Sequence, residues 1–128
     1  MAEMSNYLEN ALLNATLNAT TYTAPSNIYV SLWTSDPTDA GSGTEVSGGS
    51  YARTSVTFGA PSDGASLNNA DVTFPTATAS WGTVGWIGIN DALSSGNLLY
   101  HTALDTAKAI DSGDIFKIAS GNLSVTLA

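Results

Sequence analysis

The chain contains no cysteine, which removes disulfides, cysteine-ligated zinc, iron–sulfur clusters and thiol nucleophiles in one step. Packing and hydrogen bonding have to hold the fold. Charge is scarce as well: charged residues make up 11 %, and three basic side chains against eleven acidic ones give a formal net charge of −8. So few cations leave no electrostatic footprint for a phosphate backbone, and no nucleic-acid partner is expected. Long apolar runs are also missing, since no stretch approaches the roughly 18 residues of a membrane-spanning helix. The start Met-Ala-Glu-Met-Ser-Asn-Tyr lacks the basic and apolar regions of a signal peptide. The expectation is a protein made and kept in a cytosol, or assembled there, with no membrane partner.

What is present is enough for one core. Hydrophobic residues are 43 % of 128, with three Trp, five Tyr and three Phe, which suits a single domain over residues 1–128. Ala, Gly, Ser and Thr together supply about half of the chain. A surface of that kind is polar but weakly charged, and it favours short strands, turns and packing against neighbours.

Helical spacing appears once, at the N-terminus. Leu8, Leu12 and Ala15 share a stripe between Ser5 and Leu17, with Asn6 three residues ahead of Glu9 as a cap. The helical segment is confined to residues 1–20, because β-branched residues follow and Pro25 blocks continuation. Beyond it, alternation with a period of two takes over. Ile28, Val30 and Leu32 alternate with Tyr29, Ser31 and Trp33. Tyr51 to Phe58 reads as a strand with Ala52, Thr54, Val56 and Phe58 inward, and Val72 and Phe74 open another that Pro75 ends.

Thr83 to Ile89 is apolar on both faces and interrupted by Gly85 and Gly88, as in a doubly covered central strand approached closely by a neighbour. Leu98 to Leu104 reads as a strand ended by Asp105, with a hairpin turn through Asp111-Ser112-Gly113-Asp114. The last two strands place Phe116, Ile118, Leu123, Val125 and Leu127 in the core. Two polar stretches, Asp36 to Ser50 and Ala60 to Asn69, read as loops. The fold class is therefore mainly β: an antiparallel β-sandwich or jelly roll of about eight strands with a short N-terminal helix.

Catalytic chemistry finds little support. His101 is the only histidine, Asp105 lies four residues on, and no serine sits in a Gly-x-Ser-x-Gly elbow, so His101 reads as a structural or surface residue. Asp36 with Asp39, and Asp111 with Asp114, offer too few oxygens for calcium and suit turns instead. No catalytic residue, metal or cofactor is assigned. Trp33, Trp81 and Trp86 suggest either core packing or sugar stacking; Trp86 fits the core, and Trp33 fits core and partner interface equally. Arg53, the only arginine, reads as a planar hydrogen-bonding anchor for a carboxylate at a subunit boundary.

Several runs resemble a known family. Met4-Ser5-Asn6-Tyr7-Leu8-Glu9-Asn10-Ala11-Leu12-Leu13, Val30-Ser31-Leu32-Trp33-Thr34-Ser35-Asp36-Pro37-Thr38-Asp39-Ala40 and Glu45-Val46-Ser47-Gly48-Gly49-Ser50-Tyr51-Ala52-Arg53 resemble small virion proteins of tailed bacteriophages. Val72-Thr73-Phe74-Pro75-Thr76-Ala77, Trp81-Gly82-Thr83-Val84, Gly96-Asn97-Leu98-Leu99-Tyr100-His101 and Ser112-Gly113-Asp114-Ile115-Phe116-Lys117 extend the match to nearly the whole chain. Members are labelled tail-fibre or minor tail proteins, and similar small β-rich phage proteins are capsid cement, trimers that clamp neighbouring major capsid subunits. The resemblance implies a non-enzymatic structural role in the virion, with assembly in the bacterial host cytoplasm.

Capsid cement or decoration ranks first among the roles. Its partners would be the major capsid protein and copies of the chain itself in a homotrimer. A tail or tail-fibre component ranks second. A carbohydrate-binding adhesin ranks third and requires an exposed Trp33 or Trp81. The candidate interface is Trp33, Asp36, Asp39, Val46, Tyr51 and Arg53, centred on a 36–50 loop expected to become ordered against a neighbour.

Overall fold

The computed structural model describes residues 2–127. In chain order its elements are β1 (Glu3–Met4), α1 (Asn6–Leu17), β2 (Ile28–Trp33), β3 (Thr54–Val56), β4 (Ala65–Leu67), β5 (Val72–Thr73), β6 (Gly82–Asn90), β7 (Leu98–Ile110), β8 (Lys117–Ile118) and β9 (Ser124–Thr126). A five-stranded sheet runs β1-β7-β6-β2-β3, and β4 with β9 and β5 with β8 form two further pairs. Every pairing is antiparallel. The protein is mainly β with one short helix, as its alternating pattern requires.

Alternation decides which side of the large sheet is dry. Val30 and Leu32 of β2 lie opposite Ile89 and Ile87 of β6 and turn to one face. There they join Val72, Phe74, Phe116 and Leu123, contributed by the two smaller strand pairs and their flanks, in a single buried cluster. Phe74 meets Phe116 edge-to-face at 5.6 Å and stacks near-parallel to Tyr51 at 6.3 Å. Burial of each such side chain stabilises the fold by about 1.5–3 kcal/mol.

The opposite face carries Ser31, Trp33, Gly88 and Asn90 and is also covered. Position 88 shows how tightly: a Cβ there would stand 2.7 Å from Leu98 Cδ1 and 2.8 Å from Ser31 Oγ. The doubly covered central strand with a close approach at its glycine is β6.

Several boundaries differ from the sequence-based expectation. Ser5, not Asn6, caps α1: its Oγ accepts the Leu8 N–H at 3.2 Å and donates to the Leu98 carbonyl, which anchors the helix start to β7. Residues 3–4 ahead of it form a strand, and Met1 lies outside the described residues. Strand β7 runs on through Asp105 to Ile110, because its partner β6 continues to Gly82 after an irregularity between Val84 and Trp86. Backbone pairing there outweighs the poor strand propensity of Asp105.

The turn at 111–114 exists, with Asp114 N–H bonded to Asp111 O at 3.0 Å, but it closes no hairpin. The chain instead crosses to β5, where Val72 faces Ile118. Residues 60–69, expected as loop, contain β4, because β9 pairs with it. Of the expected C-terminal core, Phe116 and Leu123 are buried and Ile118 and Val125 half-buried, while Leu127 is 42 % exposed. Only three residues of the expected 51–58 strand are strand, and Tyr51, expected outward, packs against the core.

Candidate functional site

The six residues singled out from the sequence gather around the end of β2 and the segment that follows it. Beyond Trp33 the chain turns across the second face of the sheet, held by the buried Pro37. Asp36 Oδ1 accepts the Thr38 N–H at 2.9 Å, an Asx turn of the kind expected from its composition. Asp39 is fixed from the other side, since its carbonyl accepts the Asn6 N–H at 2.9 Å. Ser31 Oγ donates to Asn90 Oδ1 at 2.6 Å and accepts the Trp33 Nε1–H at 2.8 Å, so the buried indole is locked beneath this segment.

The 44–53 stretch extends the edge of β2. Glu45 bridges Trp33, and the Val46 N–H reaches the Leu32 carbonyl at 2.9 Å. Tyr51 OH accepts the Leu32 N–H at 2.9 Å and donates to Glu45 Oε2 at 2.7 Å. Arg53 completes the arrangement with two hydrogen bonds to Glu45, and its Nη1 donates to the carbonyls of Ala92 and Ser95, both at 2.9 Å.

Electrostatics follow from this geometry. Burial alone would raise the Glu45 carboxyl, but hydrogen bonds from Arg53 and Tyr51, with the guanidinium charge, hold it below its ordinary 4.5. The bond to Glu45 raises Arg53 further, against the effect of its burial. Burial first, and then the bond to Glu45, push the Tyr51 phenol up, so it stays a neutral donor.

A second polar group lies beside the first. His101 is buried, with 5 % of its side chain exposed; Asp39 Oδ1 stands 2.8 Å from its Nε2 and Glu3 Oε2 3.9 Å away. On the other side of the ring, Asp36 Oδ1 is 3.9 Å from Nδ1. Between the two groups opens a cleft of about 290 Å³, lined by Tyr7, Trp33, Asp39, Arg53, Asn90 and Asn97 among others.

Trp33, Asp39 and Arg53 therefore share one cleft, while Tyr51 and Val46 are turned toward the core. Trp33 and Val46 are each only 6 % exposed, and they present little surface to a partner. Arg53 does anchor a carboxylate, but one of its own chain. Trp81 is buried too, with its Nε1–H donated to the Gly49 carbonyl at 2.9 Å, so neither tryptophan required for sugar stacking lies open. Trp86 is half-buried.

Sequence reasoning missed Glu3, Glu45 and the role of His101. Asp105, its nearest carboxylate in sequence, is replaced by Asp39, 62 positions away. Asp111 and Asp114 serve the turn, with the Asp111 N–H bonded to Asp114 Oδ2 at 2.9 Å.

The profile of the family described as Podophage GP4 fiber I protein gp80 matches residues 3–126. The chain belongs to that family. The match agrees with the resemblance to tailed-phage virion proteins and spans every element of the fold. No curated protein matches the chain in sequence. Among the described residues, no helix is long and apolar enough to cross a membrane.

Proposed function

We propose that this chain is a structural, non-enzymatic subunit of a phage fibre attached to the tail, assembled with copies of itself. The observation that carries this reading is the match of residues 3–126 to a family described as a fibre protein. Local geometry supports it over capsid cement. Cement function was expected to rest on a 36–50 loop whose backbone a neighbouring capsid subunit would complete. That loop instead satisfies itself within the chain: Thr34 N–H bonds Thr44 O at 2.9 Å, Ser42 N–H bonds Pro37 O at 2.6 Å and Thr44 N–H bonds Ser35 Oγ at 2.8 Å.

A domain with few charged residues and an internally bonded 36–50 segment suits a repeated unit, and closed cyclic symmetry, a trimer in this proposal, would cover its exposed apolar side chains. The test is to separate heads from tails of purified virions and probe each fraction with antibody to this chain. Signal in the tail fraction, with immunogold on fibres, supports the proposal. Signal confined to heads overturns it in favour of cement.

A further inference from the structure

The group around His101 has a composition that a structural hydrogen bond does not require. A neutral imidazole donates one N–H and accepts at its other nitrogen, yet three carboxylates approach this ring, two at Nε2 and one at Nδ1. They come from two separate parts of the chain, β1 and the segment after β2. Glu3 sits directly across from His101 in the β1–β7 register, so backbone pairing sets their separation. Asp36 and Asp39 arrive on the segment held by buried Pro37 and by the Asn6–Asp39 backbone bond. The ring itself is almost wholly buried, whereas the carboxylates of Glu3 and Asp39 reach solvent, 72 % and 45 % exposed.

We propose that Glu3, Asp39 and His101 form a binding site for a divalent transition-metal ion of the zinc class, with Asp36 orienting the imidazole. One ligand atom from each of the three lies within 4.8 Å of the others. Bonds of 2.0–2.2 Å to nitrogen and oxygen place neighbouring ligands about 3.3 Å apart. The Nε2 distances to Asp39 and Glu3, 2.8 and 3.9 Å, straddle that value. A rotation of the exposed Glu3 side chain would shorten the longer distance, and a shift of the half-exposed Asp39 carboxylate would open the shorter one.

The ion takes the Nε2 lone pair of the neutral ring, so the single N–H of His101 sits on Nδ1 in the bound form and the metal replaces the hydrogen bond between Nε2 and Asp39. Asp36 Oδ1, 3.9 Å from Nδ1, lies beyond hydrogen-bond distance, and a small side-chain shift on metal binding would complete the carboxylate–histidine–metal arrangement that fixes tautomer and ring orientation. Three protein ligands leave a position on the solvent side for water. An imidazole with two carboxylates matches zinc, cobalt or nickel, whereas calcium wants six or more oxygens. The bound ion would join β1, the 36–43 segment and β7 at the edge of the large sheet.

The experiment uses the tag-free full chain, stripped with chelator and titrated with zinc chloride by calorimetry, and with cobalt chloride by visible absorption. One equivalent should bind, with a higher melting temperature and a cobalt d–d band. Glu3→Gln, at an exposed position, should keep the metal-free melting temperature and lose at least about ten-fold in affinity, and Asp36→Asn should lose about ten-fold. His101→Gln should abolish the cobalt band; if that variant does not fold, Glu3→Gln and Asp36→Asn carry the test. Absence of saturable binding, or binding that Glu3→Gln and Asp36→Asn leave unchanged, overturns the proposal.

Discussion

Arg53 and Glu45 form a two-point pair, with Nε to Oε2 at 2.9 Å and Nη2 to Oε1 at 2.8 Å. The only guanidinium of the chain thus joins the 44–53 stretch to the 91–97 loop through the Ala92 and Ser95 carbonyls. A lysine ammonium cannot reproduce this fork. Arg53→Lys should destabilise the isolated protein by about 2 kcal/mol, read as a lower urea midpoint with an unchanged slope. An unchanged midpoint would show that the pair adds nothing to folding.

The same pair sets a dependence on acid. Because Glu45 is held below its ordinary 4.5, the folded protein releases that proton more readily than the unfolded chain. Its stabilising contribution is complete above the unfolded value and is lost as the pH falls through the lowered folded value. Denaturant midpoints measured down that range should fall more steeply in the wild type than in Glu45→Gln. Parallel curves would remove Glu45 from the acid response.

At Gly88 the prediction is steric. Besides Leu98 and Ser31, an added Cβ would meet Trp33 Nε1 at 3.0 Å, and β6 cannot shift without disturbing its two partners. Gly88→Ala should cost about 1–3 kcal/mol, seen as a lower melting temperature. A neutral substitution would mean that the second face repacks freely.

The C-terminal segment offers a paired comparison. Leu123 is 4 % exposed and part of the core, whereas Leu127 is 42 % exposed. Leu123→Ala should cost about 2–5 kcal/mol, and Leu127→Ala should stay within about 0.5 kcal/mol. Equal effects in denaturant melts would contradict the burial pattern.

Replacing residues 39–47 with a short Gly-Ser linker removes both the Glu45 partner of Arg53 and buried Val46. The expected outcome is a destabilised or unfolded chain by circular dichroism. A replacement that melts like the wild type would restore this segment as a dispensable arm.

Much of the β architecture was legible because alternation is a local property. Val30 and Leu32 could be assigned to one face, and β6 to the centre, from side-chain type and period alone. Errors gathered where pairing overrides propensity, as in the extension of β7 past Asp105 and the strand at 65–67. Residues 51–53 misled for a related reason: alternation assigns Tyr51 outward only if the strand starts there, and it starts at Thr54.

For the site, composition and pattern by themselves determined that Arg53 would be an anchor, that Asp36 would make a turn, and that cysteine chemistry is closed to a chain without cysteine. Side-chain type and local turn chemistry suffice for those statements. Only the tertiary structure decided that Arg53 takes Glu45 of its own chain and that His101 meets Asp39 across 62 positions and Glu3 across a strand pair. The physical reason is range. Backbone alternation and turn preferences act between neighbours in sequence, whereas a charge finds its partner only after the sheet order has brought distant segments to the same face.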